Sequence, residues 1–250
     1  MMERNEQGRL RALCIKETRK RIRQNVQDDN LLIQCEASAK EIERAANSLT
    51  KRLRDWYELY NPEFSRKEKD HERFVSGICN SKDTKAQGSM GAEFKAEDMG
   101  SLREYAGSIQ LMYKEKRQLE SYLDKLAERS IPNLRAVCGS SVAAQLLAHT
   151  GSLKRLAEHT ASTIQVLGAE KALFRHMRTG AKAPKHGLIF QHPMLQMAKT
   201  KDRGKIARAL ADKIAMAARI DYFKGDFAGD KLAASLKKRF SDEKLSHISA

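Results

Sequence analysis

The sequence predicts an all-α protein: a long antiparallel coiled-coil hairpin followed by a compact helical domain. Three observations predict it. Two stretches repeat apolar residues at alternating steps of three and four, the seam of a coiled coil. The segment between them holds Pro62 and a run rich in Ser, Lys, Asp and Gly, so the chain turns back there. Beyond Ile131-Pro132 the chain becomes a series of short helix-forming stretches with no sustained strand alternation.

Residues 1–27 form a basic lead-in carrying Arg9, Arg11, Lys16, Arg19, Lys20, Arg21 and Arg23, with only a weak apolar stripe at Leu10, Leu13 and Ile15. Two readings apply: a solvated helix or frayed lead-in, and an arm that touches RNA. Residues 28–130 form the hairpin. Its first seam runs Leu32, Cys35, Ala39, Ile42, Ala46, Leu49, Leu53, Trp56, Tyr60, a helix roughly 43 Å long at 1.5 Å per residue. It stops near Tyr60, because Pro62 disfavours helix at Asn61. Pro62 suits the first turn of a second helix that carries Phe64, Phe74, Val75 and Ile78 and ends near Cys79. Residues 80–100 read as a mobile linker, so 61–100 is the hairpin tip. The return seam is Leu102, Tyr105, Ile109, Met112, Lys116, Leu119, Leu123, Leu126, with Lys116 its one charged interruption. A seam charge costs stability and can fix register. Trp56 and Tyr57 read first as seam packing near the tip and second as stacking groups.

Residues 131–250 form the second domain. Pro132 breaks the long helix, and helix-forming stretches follow at 137–148, 152–159, 169–179, 204–222 and 230–240. Ser152 is a natural N-cap. Leu188-Ile189-Phe190 reads as a buried extended segment, and His149 and His159 as structural.

The chain has 250 residues, 41% hydrophobic, 32% charged and 6% aromatic, a balance that suits long helices with narrow apolar stripes. Its formal net charge is +15. From Ile131 onward 21 Lys/Arg face 9 Asp/Glu, whereas the first 130 residues carry 26 and 23. An acidic partner follows, nucleic acid first. No apolar run reaches the ~20 residues that span a bilayer, and the N-terminus lacks a signal-peptide core. The protein is therefore expected to be soluble and cytoplasmic, with no membrane partner. Cys14, Cys35, Cys79 and Cys138 form no CxxC pair, so free, mostly buried thiols in a reducing compartment are expected.

The densest electrostatic feature runs from Lys171 to Arg208, where ten Lys/Arg meet one acidic residue, Asp202. Gly168-Ala169-Glu170-Lys171 reads as a loop feeding a helix N-terminus, whose free N–H groups and dipole attract phosphate. Lys171 and Arg175 share a helix face, with Arg178 on the same helix. Lys182, Lys185 and His186 lie in the irregular loop, and Arg203, Lys205 and Arg208 open the next helix. These residues are expected to converge on one RNA face; charge alone equally allows a solvated basic surface. His186 and His192 lack the Cys or carboxylate partners of a metal pair, so no metal is expected. No P-loop, GxSxG, HExxH or paired-carboxylate arrangement occurs. Neither catalysis nor a cofactor is expected.

The run Gly168-Ala169-Glu170-Lys171-Ala172-Leu173-Phe174-Arg175 resembles the signature of the Nop-domain family, core proteins of archaeal and eukaryotic box C/D ribonucleoproteins (the NOP5, NOP56 and NOP58 group) with a spliceosomal relative. Flanking runs agree: Leu147 to Leu153, Ala161 to Gln165, Pro184 to Phe190, and Arg203 to Arg208. Arg52-Leu53-Arg54-Asp55-Trp56-Tyr57 is similar to the family's coiled-coil signature, and Pro132-Asn133-Leu134 to its boundary run. The likeness covers roughly residues 20–240, and its form here points to a prokaryotic, archaeal chain.

The resemblance implies an RNA-binding scaffold. Its partners would be a box C/D guide RNA with a kink-turn and the small ribosomal-protein-like binder of that turn. The particle methylates ribose 2′-hydroxyls at guide-selected sites through fibrillarin. Gly168 to Lys171 would lie at the composite RNA–protein junction, with Ala172 to Arg175 toward the guide–target region. In a spliceosomal relative a histidine of a PHTG-like loop stacks on RNA; the matching position here is Lys185. The coiled coil would self-associate around Trp56, Tyr57, Phe64, Phe74 and Ile78. Only some 25 residues precede the coil, too few for the family's fibrillarin-recruiting α/β domain. The expectation is a chain that binds RNA and dimerises but does not dock fibrillarin by itself. The rival class is a structural coiled-coil interaction protein with a non-specific basic RNA-binding domain. A DNA-binding reading for the helix from Gly204 finds no helix-turn-helix pattern.

Overall fold

The computed structural model describes residues 2–80, 85 and 88–245. The described residues are helical or irregular, with no strand among them, as an all-α chain requires. They form two compact units: residues 35–124, and residues 1–34 together with 125–250.

In the first unit, α2 (Asp28–Tyr57) and α5 (Ala96–Ser130) run antiparallel. Contacts show the sense: Cys35 Sγ donates to the Leu119 carbonyl at 3.3 Å, Lys116 Nζ to Glu43 at 2.7 Å, and Tyr113 Oη to Asn47 at 2.9 Å, so the partner number falls as α2 advances. The row Leu32, Ala39, Ala46, Leu53 is buried as the heptad predicts, as are Leu102, Ile109 and Leu123 of the return helix. Cys35 and Leu126 of the second rows are also buried as expected, but toward the tip each second row lies one residue later. Glu36, Thr50 and Tyr57 are buried in place of Leu49 and Trp56, and Ala106, Tyr113 and Ala127 accompany them from α5. Polar side chains carry this row because they find partners inside it. Thr50 donates to the Ala46 carbonyl at 2.7 Å and lies 3.2 Å from the Tyr113 hydroxyl. The charged interruption, Lys116, is answered by Glu43, with Glu120 at 3.5 Å.

The tip differs from expectation in two ways. The single helix expected after Pro62 is two, α3 (Pro62–Lys67) and α4 (His71–Cys79). Asn61 caps α3 by accepting from the Phe64 N–H, and Asp70 caps α4 by accepting from the Arg73 N–H at 2.8 Å. Arg54, reaching from α2, donates to the carbonyls of Ser65 and Glu68 and lies 4.1 Å over the Phe74 ring. It holds the break from outside the local sequence. The expected linker is also partly structured. Ala92 N–H donates to the Leu59 carbonyl at 2.8 Å, Glu63 accepts from Ser89 and Met90, and Phe94 packs on Tyr60. Residues 81–84, 86 and 87 of that linker lie outside the described residues.

In the second unit, α12 (Arg203–Tyr222) is the centre, touching α6 (Pro132–Cys138), α8 (Leu153–Glu158), α9 (Ala161–Val166) and α13 (Gly229–Leu245). Its alanine-rich inner face, with Ile206, Leu210 and Ile214, lets these helices approach closely. Buried Asp221 near its end caps α6: it accepts from the N–H groups of Asn133 and Leu134 and from Asn133 Nδ2, at 3.1, 2.8 and 2.8 Å. Burial raises the Asp221 carboxyl above its ordinary range against the pull of those donors. Asn133 in turn accepts from the Ala228 N–H at 2.7 Å, so Pro132-Asn133-Leu134 joins α6, α12 and the start of α13. Asp28 accepts from Arg129 and Ser130, and these bonds lower its pKa.

The helix expected at 137–148 is interrupted at Gly139, whose φ of +81° separates α6 from α7 (Ser140–Thr150). Leu188–Gln191 is a 3₁₀ turn, where an extended segment was expected, though Ile189 is buried as expected. Three short helices lie outside or almost outside the expected stretches: α6, of which only Val137 and Cys138 were expected, α9, and α11 (Pro193–Met197), which has Pro193 at its first turn. Between the last two lies α10 (Glu170–Thr179). α1 (Met2–Asn25) belongs to the same unit and is exposed from Glu6 to Arg23. The four cysteines are free: Cys35 and Cys138 buried, Cys79 half-buried, Cys14 exposed. No described helix is long and apolar enough to cross a membrane.

Candidate nucleic-acid interface

Two loops are locked to one another in the second unit. The first follows α9, whose N-terminus is capped by Thr160. Gly168 takes a φ of +85°, and a Cβ there would lie 2.6 Å from Leu188 Cγ. The second loop answers it: Gly187 N–H donates to the Gln165 carbonyl at 2.8 Å, Leu188 N–H to Leu167 at 2.7 Å, and Gln165 Nε2 to the Lys185 carbonyl at 2.7 Å. A Cβ on Gly187 would stand 1.9 Å from the Leu167 carbonyl oxygen. Glycine at both positions is therefore a condition of the lock.

The loop feeding the helix was expected to offer free N–H groups, and two of them are taken. Glu170 Oε1 accepts from Gly168 N–H at 2.6 Å, and Ala169 N–H donates to the Val166 carbonyl at 2.9 Å. The Gly168 bond lowers the Glu170 pKa, so a fixed carboxylate already stands in the first turn of α10, at the positive end of its dipole. A phosphate would instead meet side chains. α10 buries none of its residues. Lys171, Phe174, Arg175, Arg178 and Thr179 line a shallow groove on it. Phe174 is 60% exposed and Met177 63%, so the helix offers apolar surface among its cations. Sequence reading weighed only the cations. The missed signal was Phe174 at one turn from Lys171, on the charged face. Gly180, φ +68°, ends the helix, and the His176 ring meets the Ala181 carbonyl.

The second loop brings Lys185, His186 and Arg203 together. The His186 ring stacks on Phe190 with centroids 4.5 Å apart and planes at 12°, and the Arg203 guanidinium lies 5.1 Å from the Phe190 centroid. Arg203 also donates to the Ala198 carbonyl at 3.1 Å. Burial, then Arg203 and Lys185, lower the His186 pKa, so the ring is neutral near pH 7. The Lys185 stem passes Gly204. Phe190 is the residue that organises this cluster, and the sequence reading took it for core. Lys182, Lys205 and Arg208 are exposed. His192 accepts the Met194 N–H at 3.3 Å and caps α11.

The electrostatics of the two units differ. In the hairpin several cations are paired, Lys116 with Glu43, Arg117 with Glu72 and Arg66 with Glu58 among them. Among the described residues, none of the ten Lys/Arg from Lys171 to Arg208 makes an ion pair. At the tip, Tyr57, Phe74 and Ile78 are fully buried and Phe64 half-buried, so of the five expected contact residues only Trp56 presents substantial surface. The other large rings pack on each other, Tyr57 against Phe74 and Phe64.

Comparison with known proteins agrees with this layout. The family model "Nop: snoRNA binding domain, fibrillarin" matches residues 38–242. A NOP5 family protein of Methanocaldococcus jannaschii is 38% identical over 238 residues, covering 86% of this chain and 57% of that protein. Nucleolar protein 58 of Schizosaccharomyces pombe is 34% identical over 77% of this chain and 42% of its own length, and human nucleolar protein 56 is 31% identical over 85% and 41%. The chain thus spans between two fifths and three fifths of these relatives. A chain in the crystal structure of a fibrillarin/Nop5p complex superposes with a TM-score of 0.57 at 26% identity, over 94% of this chain and 76% of that one. The paired glycine loops, the open basic run and these matches together show that the chain belongs to the Nop family.

Proposed function

We propose that the chain is an RNA-binding scaffold of a box C/D guide ribonucleoprotein. The observation that carries this reading is the basic run flanking two interlocked loops, which makes no ion pair among the described residues. Lys171, Arg175 and Arg178 supply phosphate contacts along α10, and Phe174 supplies a surface on which a base can stack. Lys185 and Arg203 flank the neutral His186–Phe190 stack as a second contact point. The composite partner is a kink-turn RNA held by its small ribosomal-protein-like binder, and the particle supports guide-directed 2′-O-methylation by fibrillarin.

The reading includes self-association through the hairpin. The shifted seam leaves Ile42, Leu49 and Trp56 on one flank of α2, seven residues apart, and Tyr105, Met112 and Leu119 at the same spacing on α5. Trp56 lies 6.4 Å from Tyr105, centroid to centroid, so the two rows adjoin. A second hairpin laid on this stripe would complete a four-helix bundle.

The test is Lys171→Glu/Arg175→Glu. Both side chains are exposed, so the thermal midpoint should be unchanged while affinity for a box C/D kink-turn RNA falls at least tenfold and the slope of log affinity against log salt falls by about 0.7–0.9 per lost phosphate contact. Unchanged affinity would remove the reading.

A further inference from the structure

We propose that α1 is a second RNA-contacting element, docking one face on the phosphate backbone. The proposal rests on the RNA-binding reading above and extends it to a helix which that reading does not use.

At about 100° per residue, Arg9, Lys16, Lys20 and Arg23 fall within an arc of about 60°, and Arg19 borders it. From Glu6 to Arg23 no carboxylate lies on that arc. Glu6 and Glu17 lie about 40° and 60° beyond its opposite edge, and Glu17 pairs there with Arg21 at 3.2 Å. The five cations of the face make no ion pair among the described residues. Every side chain from Glu6 to Arg23 is exposed, so none of the described residues covers the face. A helix so exposed draws little stability from packing, and a polyanion that neutralises its like charges would stabilise it.

The occupant follows from charge and from the apolar residues. Leu10, Leu13, Ile15 and Ile22 scatter around the helix and make no single seam. A partner helix would find no stripe to pack on. An array of phosphates meets four cations across about 21 Å, from Arg9 to Arg23.

The test compares two variants of equal net charge in the full chain. Lys16→Gln/Lys20→Gln neutralises the face, and Arg11→Gln/Arg21→Gln neutralises two cations away from it. Glutamine keeps helix propensity, and circular dichroism checks that helix content is unchanged. Binding to a box C/D kink-turn RNA is followed by fluorescence anisotropy across a salt series. The on-face variant should lower the slope of log affinity against log salt by about 1.4–1.8, two contacts at 0.7–0.9 each, while the off-face variant keeps the wild-type slope. Equal slopes for all three proteins, or an equal fall in both variants, would overturn the proposal, as would slopes that change only with an acidic protein as probe. A wild-type chain that binds no RNA would instead remove the functional reading itself.

Discussion

Gly187 lies against Leu167 so closely that a Cβ on it would stand 1.9 Å from the Leu167 carbonyl oxygen, while its own N–H donates to Gln165 at 2.8 Å. This contact joins two loops twenty residues apart and places the start of α10 beside Lys185 and His186. Gly187→Ala should therefore break the lock by displacing backbone. The expected cost is about 2–4 kcal/mol in chemical denaturation, with RNA affinity lost along with it. Gly168→Ala meets only the Leu188 side chain and a φ of +85°, so a smaller loss of about 1–3 kcal/mol is expected.

Asp221 is the stability hinge of the second unit. Its carboxylate satisfies two helix N–H groups and the Asn133 amide in a buried site. Asp221→Ala strands all three donors, and a loss of about 3–5 kcal/mol by urea unfolding is expected. Wild-type stability at that point would show the cap to be dispensable.

His186 carries part of the pH dependence, beside His192 and His71, whose pKa values burial also lowers. Its pKa is lowered by burial, then by Arg203 and Lys185. Unfolding lets the ring take up a proton that the folded state refuses, so the folded state is favoured above the ordinary histidine pKa and loses that advantage as pH falls below it. Between about pH 7.5 and 5.5 the wild-type thermal midpoint should drop, and His186→Gln should drop less. His192, also lowered by burial, accounts for part of the remaining fall. Parallel curves would show that His186 does not titrate differently in the folded protein.

Trp56 and Tyr57 are neighbours with opposite consequences. Trp56 is 37% exposed, as is Leu49 one heptad earlier, whereas Tyr57 is fully buried. Leu49→Lys/Trp56→Lys should abolish self-association in sedimentation experiments while circular dichroism shows unchanged helix content. Tyr57→Ala should cost about 3–5 kcal/mol by emptying the tip core. If the double lysine variant still dimerises, the stripe is not the interface.

Much of this was legible in the sequence, and the misses have physical causes. The rows Leu32, Ala39, Ala46, Leu53 and Leu102, Ile109, Leu123 could be read because they are apolar in heptad register. The second rows could not, because the chain buries Glu36, Thr50 and Tyr57 and leaves apolar Leu49 and Trp56 outside. Hydropathy ranks these positions in reverse, and only the cross-helix hydrogen bonds of Thr50 and Tyr113 show why. The α3–α4 break depends on Arg54, eleven residues before Ser65. The basic run was plain from composition. Its organisation was not, because Phe174 and Phe190 look like core residues until the helix is seen exposed and the His186 stack is seen in place.

The central claim is recognition of a kink-turn RNA together with its small binding protein. It is tested most directly by a gel shift on box C/D kink-turn RNA and on a scrambled RNA of equal length, each with and without that protein. The account predicts a shift that is strongest for the kink-turn RNA with its binder present, and weak for the scrambled RNA in both conditions. Equal, salt-sensitive shifts on every RNA would contradict it and leave the basic run as a non-specific phosphate-binding surface.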